Sequence, residues 1–284
     1  MPWYGKVAAK LVLSRLPLRY SVWRRLNLFA LGRMHKSNYA HKVFLAHFPR
    51  SDFLRKNDGF VALEIGPGDS LSSALIASAY GAKKCYLVDV GKFASEDMEI
   101  YRDLANYLKK QNLSLPRDID EISCVKDMLK LYNTTYLTEG LRSLKVIPSQ
   151  SIDFIWSQTV LQCILKSEFL GTLLELHRIL TPGGICSHSI DLRDSMGSQK
   201  LNHFRFSSRL WESKFMASSG FYTNRIRYSE MVELFKLAGF MVEVINIQYF
   251  KEKVISRSAL AKEFQNLSDD DLSISGFDVL LRAI

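Results

Sequence analysis

The sequence predicts an α/β protein: a seven-stranded, mostly parallel, doubly wound sheet whose last strand runs antiparallel, preceded by an N-terminal helical extension. Three observations predict it. From residue 60 onward, short β-rich apolar runs alternate with stretches of helical periodicity. The first such run ends in a glycine-rich turn that opens a helix. The last two runs have no full crossover helix between them, so they can pair as antiparallel neighbours.

Strands are expected at Val61–Ile65, Lys84–Val88, Thr135–Leu137, Ile152–Trp156, Gly184–Ile190, Met241–Tyr249 and Phe277–Arg282. Helices are expected near 71–80, 95–110, 121–131, 167–179, 229–238 and 258–265. Strands alternating with helices of these lengths build βαβ units, hence a parallel sheet wrapped on both faces. Two connections, about 92–134 and 192–228, are longer than the wrap requires. Both leave from the carboxyl edge of the sheet, where open α/β folds bind ligands, and they are read as lids over a substrate. No repeat, low-complexity tract or Pro/Gly/Ser-rich linker interrupts the chain. The expected organisation is a basic amphipathic extension, residues 1–58, and one catalytic domain, residues 59–284.

The net charge of +9 is a property of the extension alone: residues 1–58 sum to +10 and the rest to −1. The domain is therefore no basic nucleic-acid binder, and no nucleic-acid partner is expected. The apolar runs of the extension are too short to span a bilayer, and no cleavage site of small residues follows a hydrophobic core. Two readings remain for it. Its helices, broken near Pro17, either lie on an anionic membrane surface or meet an acidic substrate or partner, or else pack Val7, Leu11, Leu18, Trp23, Leu26 and Phe29 onto the fold with Arg and Lys on a solvated face. The four cysteines, Cys85, Cys124, Cys163 and Cys186, form no CxxC pair and read as reduced thiols of a cytoplasmic protein.

The glycine turn decides the cofactor class. Glu64 ends the first strand, and Gly66-Pro67-Gly68-Asp69-Ser70 makes the turn. A dinucleotide fingerprint needs a third glycine at position 71, where Leu71 stands, and a triphosphate-binding loop needs Gly-Lys-Ser/Thr. A carboxylate beside the turn would repel a pyrophosphate but suits a cofactor with a positive charge, an amino acid moiety and no phosphate, which points to S-adenosylmethionine. Gly66 and Gly68 let the backbone approach the methionine end, and Asp89, after the second strand, can accept both ribose hydroxyls.

At these residues the sequence resembles the class I, Rossmann-like S-adenosylmethionine-dependent methyltransferases. "LEIGPGDS" is similar to their first motif, "LVDV" to their ribose acid, "SIDFIWSQTVLQCI" to their fourth-strand motif, and "LHRILTPGGICSHSIDL" to the helix, turn and fifth strand. The resemblance implies cofactor contacts from Glu64, Gly66, Gly68 and Asp89, with Glu139, Ser157 and Gln158 added at the ends of the third and fourth strands. Many relatives read Leu-Glu-His after the fourth strand, where this chain has Leu161-Gln162-Cys163, so any role of that histidine is absent. Further stretches resemble bacterial methyltransferase-domain proteins associated with cell-surface glycans or specialised metabolites.

Methyl transfer to a hydroxyl needs alignment and removal of a proton. The candidates for the base are His188 and Asp191, at the end of the fifth strand, and His203 on the second lid. Arg193, Arg205, Arg225 and Arg227 are candidates to clamp an anionic acceptor. Asp191 and Asp194 lack a third acidic ligand, so no metal is assigned. The expected function is O-methylation of a small molecule or glycan, because neither an Asn/Asp-Pro-Pro-aromatic signature nor a paired-glutamate hairpin is present. The alternatives are N- or C-methylation of a specialised metabolite, or a non-catalytic scaffold that binds the cofactor.

Overall fold

The computed structural model describes residues 5, 11–13, 15, 32–48, 59–196 and 200–283. Seven strands form one sheet: β1 (Phe60–Ile65), β2 (Ala82–Val88), β3 (Thr134–Leu137), β4 (Ile152–Gln158), β5 (Leu180–Asp191), β6 (Phe240–Tyr249) and β7 (Ile274–Ala283). Their spatial order is β3-β2-β1-β4-β5-β7-β6. The pairs β1–β2, β1–β4, β2–β3 and β4–β5 are parallel, and β7 is antiparallel to both β5 and β6. This is the sheet that the alternation of patterns predicts, and the short connection before β7 produces its reversal.

The helices divide between two layers because successive residues of a buried strand face opposite sides. On one side lie α1 (Ser37–His47), α2 (Ser72–Ala79), α3 (Met98–Lys110) and α4 (Val125–Leu131), which pack with Ala62, Leu87, Phe154 and Trp156. On the other lie α5 (Leu141–Lys145), α6 (Lys166–Ile179) and, beyond the short α7 (Ser208–Trp211) and α8 (Lys214–Ala217), α9 (Tyr228–Leu237); these pack with Leu63, Ile65, Ile155 and Val279. Small side chains in α2 allow it close to the sheet. Helix α3 buries Met98, Tyr101, Leu104 and Leu108, one stripe at helical spacing, and is capped by Asp97, which accepts from the Glu99 amide.

Three expectations change in detail. Residues 258–265 form no α-helix but two 3₁₀ turns, 257–259 and 262–264. Arg257 reaches across them to the carbonyls of Gln265 and Leu267 and to Asp269, so tertiary bonds override a local helical pattern. The stretch 92–134 is no detached lid, since α3 and Met128 of α4 are built into the core.

The third change concerns the extension. Residues 1–4, 6–10, 14, 16–31 and 49–58, with most of the expected basic helices, lie outside the described residues. The part that is described packs as core: Ala40 and Phe44 of α1 are fully buried, and the Phe44 ring stands edge-on to Trp156 at 5.5 Å. The boundary at 58/59 is thus no packing boundary. Arg15 is not a free surface cation either, because its guanidinium lies 3.8 Å over the Phe215 ring and donates to the Phe215 carbonyl. Among the described residues no helix is long and apolar enough to cross a membrane. All four cysteines are free; Cys85 and Cys186 are buried, Cys124 and Cys163 exposed.

Candidate functional site

The site begins where β1 stops. Gly66 has φ +71° and Gly68 φ +67°, the left-handed region that glycine enters without strain. A Cβ on Gly66 would stand 2.5 Å from Cγ2 of Val160, a residue of the turn after β4. The bare backbone of the glycine turn therefore closes against the end of β4. Asp69 anchors the turn, accepting from the Met34 amide, with His35 Nδ1 at 2.5 Å from its other oxygen. Ser72 donates to the Met34 carbonyl. The segment before α1 straps the turn in place.

Glu64 is 2% exposed and shares its layer with Trp156 and Ser73. Burial pushes its carboxyl up to about 7, with smaller opposing effects from Ser73 and Trp156 and a repulsion from Asp89. Glu64 Oε2, Ser73 Oγ and Trp156 Nε1 have no hydrogen bond of normal geometry among the described residues. An unpaired buried carboxylate oxygen is costly, and a cation would relieve it. Asp89 lies at the tip of β2, accepting from the amides of Gly68 (3.1 Å) and Val90 (2.7 Å), one on each oxygen. Burial raises it to about 6. Each of its oxygens retains a lone-pair position for a hydroxyl. Val90, next in sequence, is 73% exposed and offers an apolar face beside Asp89. Glu139 is exposed after β3, its amide accepted by Ser143 Oγ, and the Gly140 amide donates to the Asp89 carbonyl.

Strand β4 sends its last two side chains to different layers. Ser157 is buried, and its Oγ lies 2.8 Å from His188 Nδ1. Gln158 faces the α1 layer, where its Oε1 lies 3.1 Å from His47 Nε2, while His47 Nδ1 meets Ser187 Oγ at 2.9 Å. His47 thus ties α1 to the ends of β4 and β5. Nothing in its local sequence marks it, since its partners are 111 and 140 residues away.

The candidate bases do not form one cluster. His188 is fully buried, and burial followed by His47 lowers its pKa to about 3. His203 is 2% exposed and held far below its ordinary value by burial and by the charges of Arg227 and Arg225. It lines one pocket with Asp191 and Arg193. Asp191 accepts from the Arg193 amide, Nε and Nη2, which leaves one of its four lone-pair positions open, on Oδ2. Cys163 is exposed as a residue, yet desolvation of its thiol, then Asp191 and Asp89, push it up to about 12, so it stays protonated at neutral pH. Asp194 is spent on the amides of Met196 and Asn202.

Residues 63–187, the stretch that holds the glycine turn, Asp89 and the end of β4, match a protein-family model described as a methyltransferase domain. The cofactor such a domain implies is S-adenosylmethionine. No curated protein matches the sequence. Among solved structures it is similar to the YcgJ protein from Bacillus subtilis (12% identity, TM-score 0.44, covering 84% of this chain and 97% of that one). A phosphoethanolamine N-methyltransferase 2 from Haemonchus contortus gives 16%, 0.46, 86% and 53%. An arsenic(III) S-adenosylmethionine methyltransferase from Chlamydomonas reinhardtii gives 14%, 0.42, 79% and 62%.

The residues of the methyltransferase domain fit the cofactor's chemistry: an orphaned carboxylate oxygen for a cation, a glycine cradle that a Cβ would fill, and an acid with acceptor capacity left. Gly66→Ala is expected to abolish measurable cofactor binding in calorimetry and to lower stability by on the order of 1–3 kcal/mol, from the positive φ together with the collision with Val160. Unchanged affinity and melting temperature would show that the turn rearranges freely.

Proposed function

We propose that the domain transfers a methyl group to a hydroxyl of a small-molecule or glycan acceptor. The observation that carries this reading is the polar lining beyond the ends of β4 and β5, where Gln162, Asp191, Arg193, His203 and Thr223 line a small pocket that admits a single group of an acceptor. Such walls suit a hydroxylated acceptor better than an apolar one. S-adenosylmethionine, when bound, supplies an electrophilic methyl group on a sulfonium. The chain's own residues do the rest. Glu64 holds positive charge, Asp89 orients the ribose, and the Gly66–Val160 contact sets the distance between the glycine turn and the acceptor edge. Asp191 is the base of this reading, because it is part-exposed and has a free acceptor position, whereas His188 and His203 are held neutral away from solvent.

A second reading is favoured by those same two histidines. An acceptor that needs no base, an amine or an oxygen already ionised, would explain why neither is tuned to take a proton near neutral pH. Incubation with radiolabelled S-adenosylmethionine and matched panels of sugar alcohols, amines and carboxylic acids tests both. Label in the hydroxyl panel supports the first reading, and label confined to the amines or acids supports the second. Tight cofactor binding with no product from any panel or from a cell extract would leave a non-catalytic scaffold.

A further inference from the structure

The buried polar groups behind the acceptor edge are not those of an ordinary core. The turn after β4 and the segment 221–227 are laced together: the Asn224 amide donates to the Gln162 carbonyl, and Asn224 Nδ2 donates to the carbonyls of Leu161 and Ile164. Between this lacing and the end of β5 lies a cavity of about 10 Å³, room for one water-sized group. Four side chains that line it each carry a buried polar atom without a hydrogen-bond partner among the described residues: Gln162 Oε1, His203 Nδ1, Thr223 Oγ1 and Arg225 Nε. All four residues are less than 10% exposed. One orphan polar atom is a common imperfection, but four around one cavity describe a seat.

The charge of the seat gives its preference. Arg227 is 1% exposed, and its guanidinium donates only to the backbone carbonyls of Leu192, Asp271 and Ile274. The Asp271 carboxylate is engaged by the amide and hydroxyl of Ser229. Arg225 pairs with Glu212 at 3.3 Å, but its Nε–H is left over. Arg225 and Arg227 therefore line a cavity at which Asp191, the acid among the described lining residues, is already bridged to Arg193. Burial first, and then the charges of Arg227 and Arg225, hold His203 far below its ordinary pKa. Three of the orphan atoms can donate: Arg225 Nε, the Thr223 hydroxyl, and His203 Nδ1 in one tautomer.

We propose that this cavity seats one oxygen of an oxyanion, a carboxylate or a phosphate ester, carried by the methyl acceptor. Arg225 Nε, Thr223 Oγ1 and His203 Nδ1 donate to it. The seat rests on the reading of the β4–β5 edge as the acceptor side. It narrows the acceptor to an acidic, hydroxylated molecule and places recognition of the acid beyond the post-β4 turn. Thr159, the carbonyl partner of Gln162 Nε2, and Arg225 both hold φ near +55° to +59°. That conformation is unfavourable for a β-branched or long side chain, and it fixes two walls of the seat.

The test uses the full chain loaded with S-adenosylhomocysteine, titrated with inorganic phosphate and, separately, with acetate, at ionic strength held constant with chloride. A saturable rise in melting temperature with either anion is expected, phosphate alone pointing to a phosphate ester and acetate alone to a carboxylate. Thr223→Val removes an orphan hydroxyl without breaking a bond of the ligand-free protein, so it should fold as the wild type and weaken the anion about tenfold. Arg225→Lys, which keeps the charge and loses Nε–H, should weaken it similarly. Equal affinity in both variants, or an effect that chloride reproduces, overturns the seat, as does an ordered water alone in the cavity of crystals grown in phosphate or acetate. Because affinity for S-adenosylhomocysteine is measured in the same samples, loss of cofactor binding would count against the methyltransferase reading instead.

Discussion

Affinity for S-adenosylmethionine is expected to rise on the order of 100-fold between pH 5.5 and pH 8, because Glu64 must lose a proton to receive a cation and Asp89 must lose one to accept the ribose hydroxyls. Burial holds Glu64 near 7 and Asp89 near 6 in the ligand-free protein. Both pKa values are raised above those of the unfolded chain, so the folded state keeps protons that the unfolded state releases as pH rises from about 4 to about 7. Across that window these two groups contribute a stability that declines with pH, while the cofactor, which requires the ionised forms, binds more tightly. The melting-temperature increase produced by S-adenosylmethionine should therefore grow as the ligand-free melting temperature falls. Adenosine has no positive charge and reports on Asp89 alone, so its affinity should level off about one pH unit lower. In Glu64→Gln the dependence for S-adenosylmethionine should collapse onto that of adenosine. A flat profile for the wild type by calorimetry would mean that Glu64 does not face the cofactor's charge.

Asp191→Asn is expected to lower kcat by roughly 10²- to 10⁴-fold with cofactor affinity unchanged, the range for loss of a general base. His188→Asn should cost much less at neutral pH. Its ring is buried against Ser157 with a pKa near 3, so its loss removes a hydrogen bond within the sheet layers and acts on stability. Turnover set against melting temperature separates the roles: Asp191→Asn should lose kcat beyond any loss of stability, and His188→Asn should lose stability with kcat largely kept. Equal and large losses in both variants would return His188 to the chemistry. No loss in either would favour an acceptor that needs no base. Asp191→Asn also weakens the bridge to Arg193, so its melting temperature must be measured alongside turnover.

The succession of strands and helices, the glycine turn and the acid after β2 were legible because each is local. A mainly apolar run, Phe60–Ile65, buried on both faces except at the half-buried Val61, a turn with two positive φ angles, and an acid at a strand tip all lie within the single βαβ unit of residues 60–89. Their geometry follows from short-range sterics and the period of the chain. Partners are not local. Whether Ser157 or Gln158 meets the α1 layer depends on the alternation of β4 within a particular register. That His188 is silent at neutral pH depends on burial supplied by elements on both sides of the sheet. His47 acquires meaning only because α1 folds back over the ends of β4 and β5. The sequence by itself determined the architecture, the cofactor class and which residues have the right chemistry. Tertiary structure decided which of them keep an open hydrogen-bonding position, because desolvation is set by the elements packed over each group and pairing by partners that range from two residues away, for Asp191, to 140, for His47.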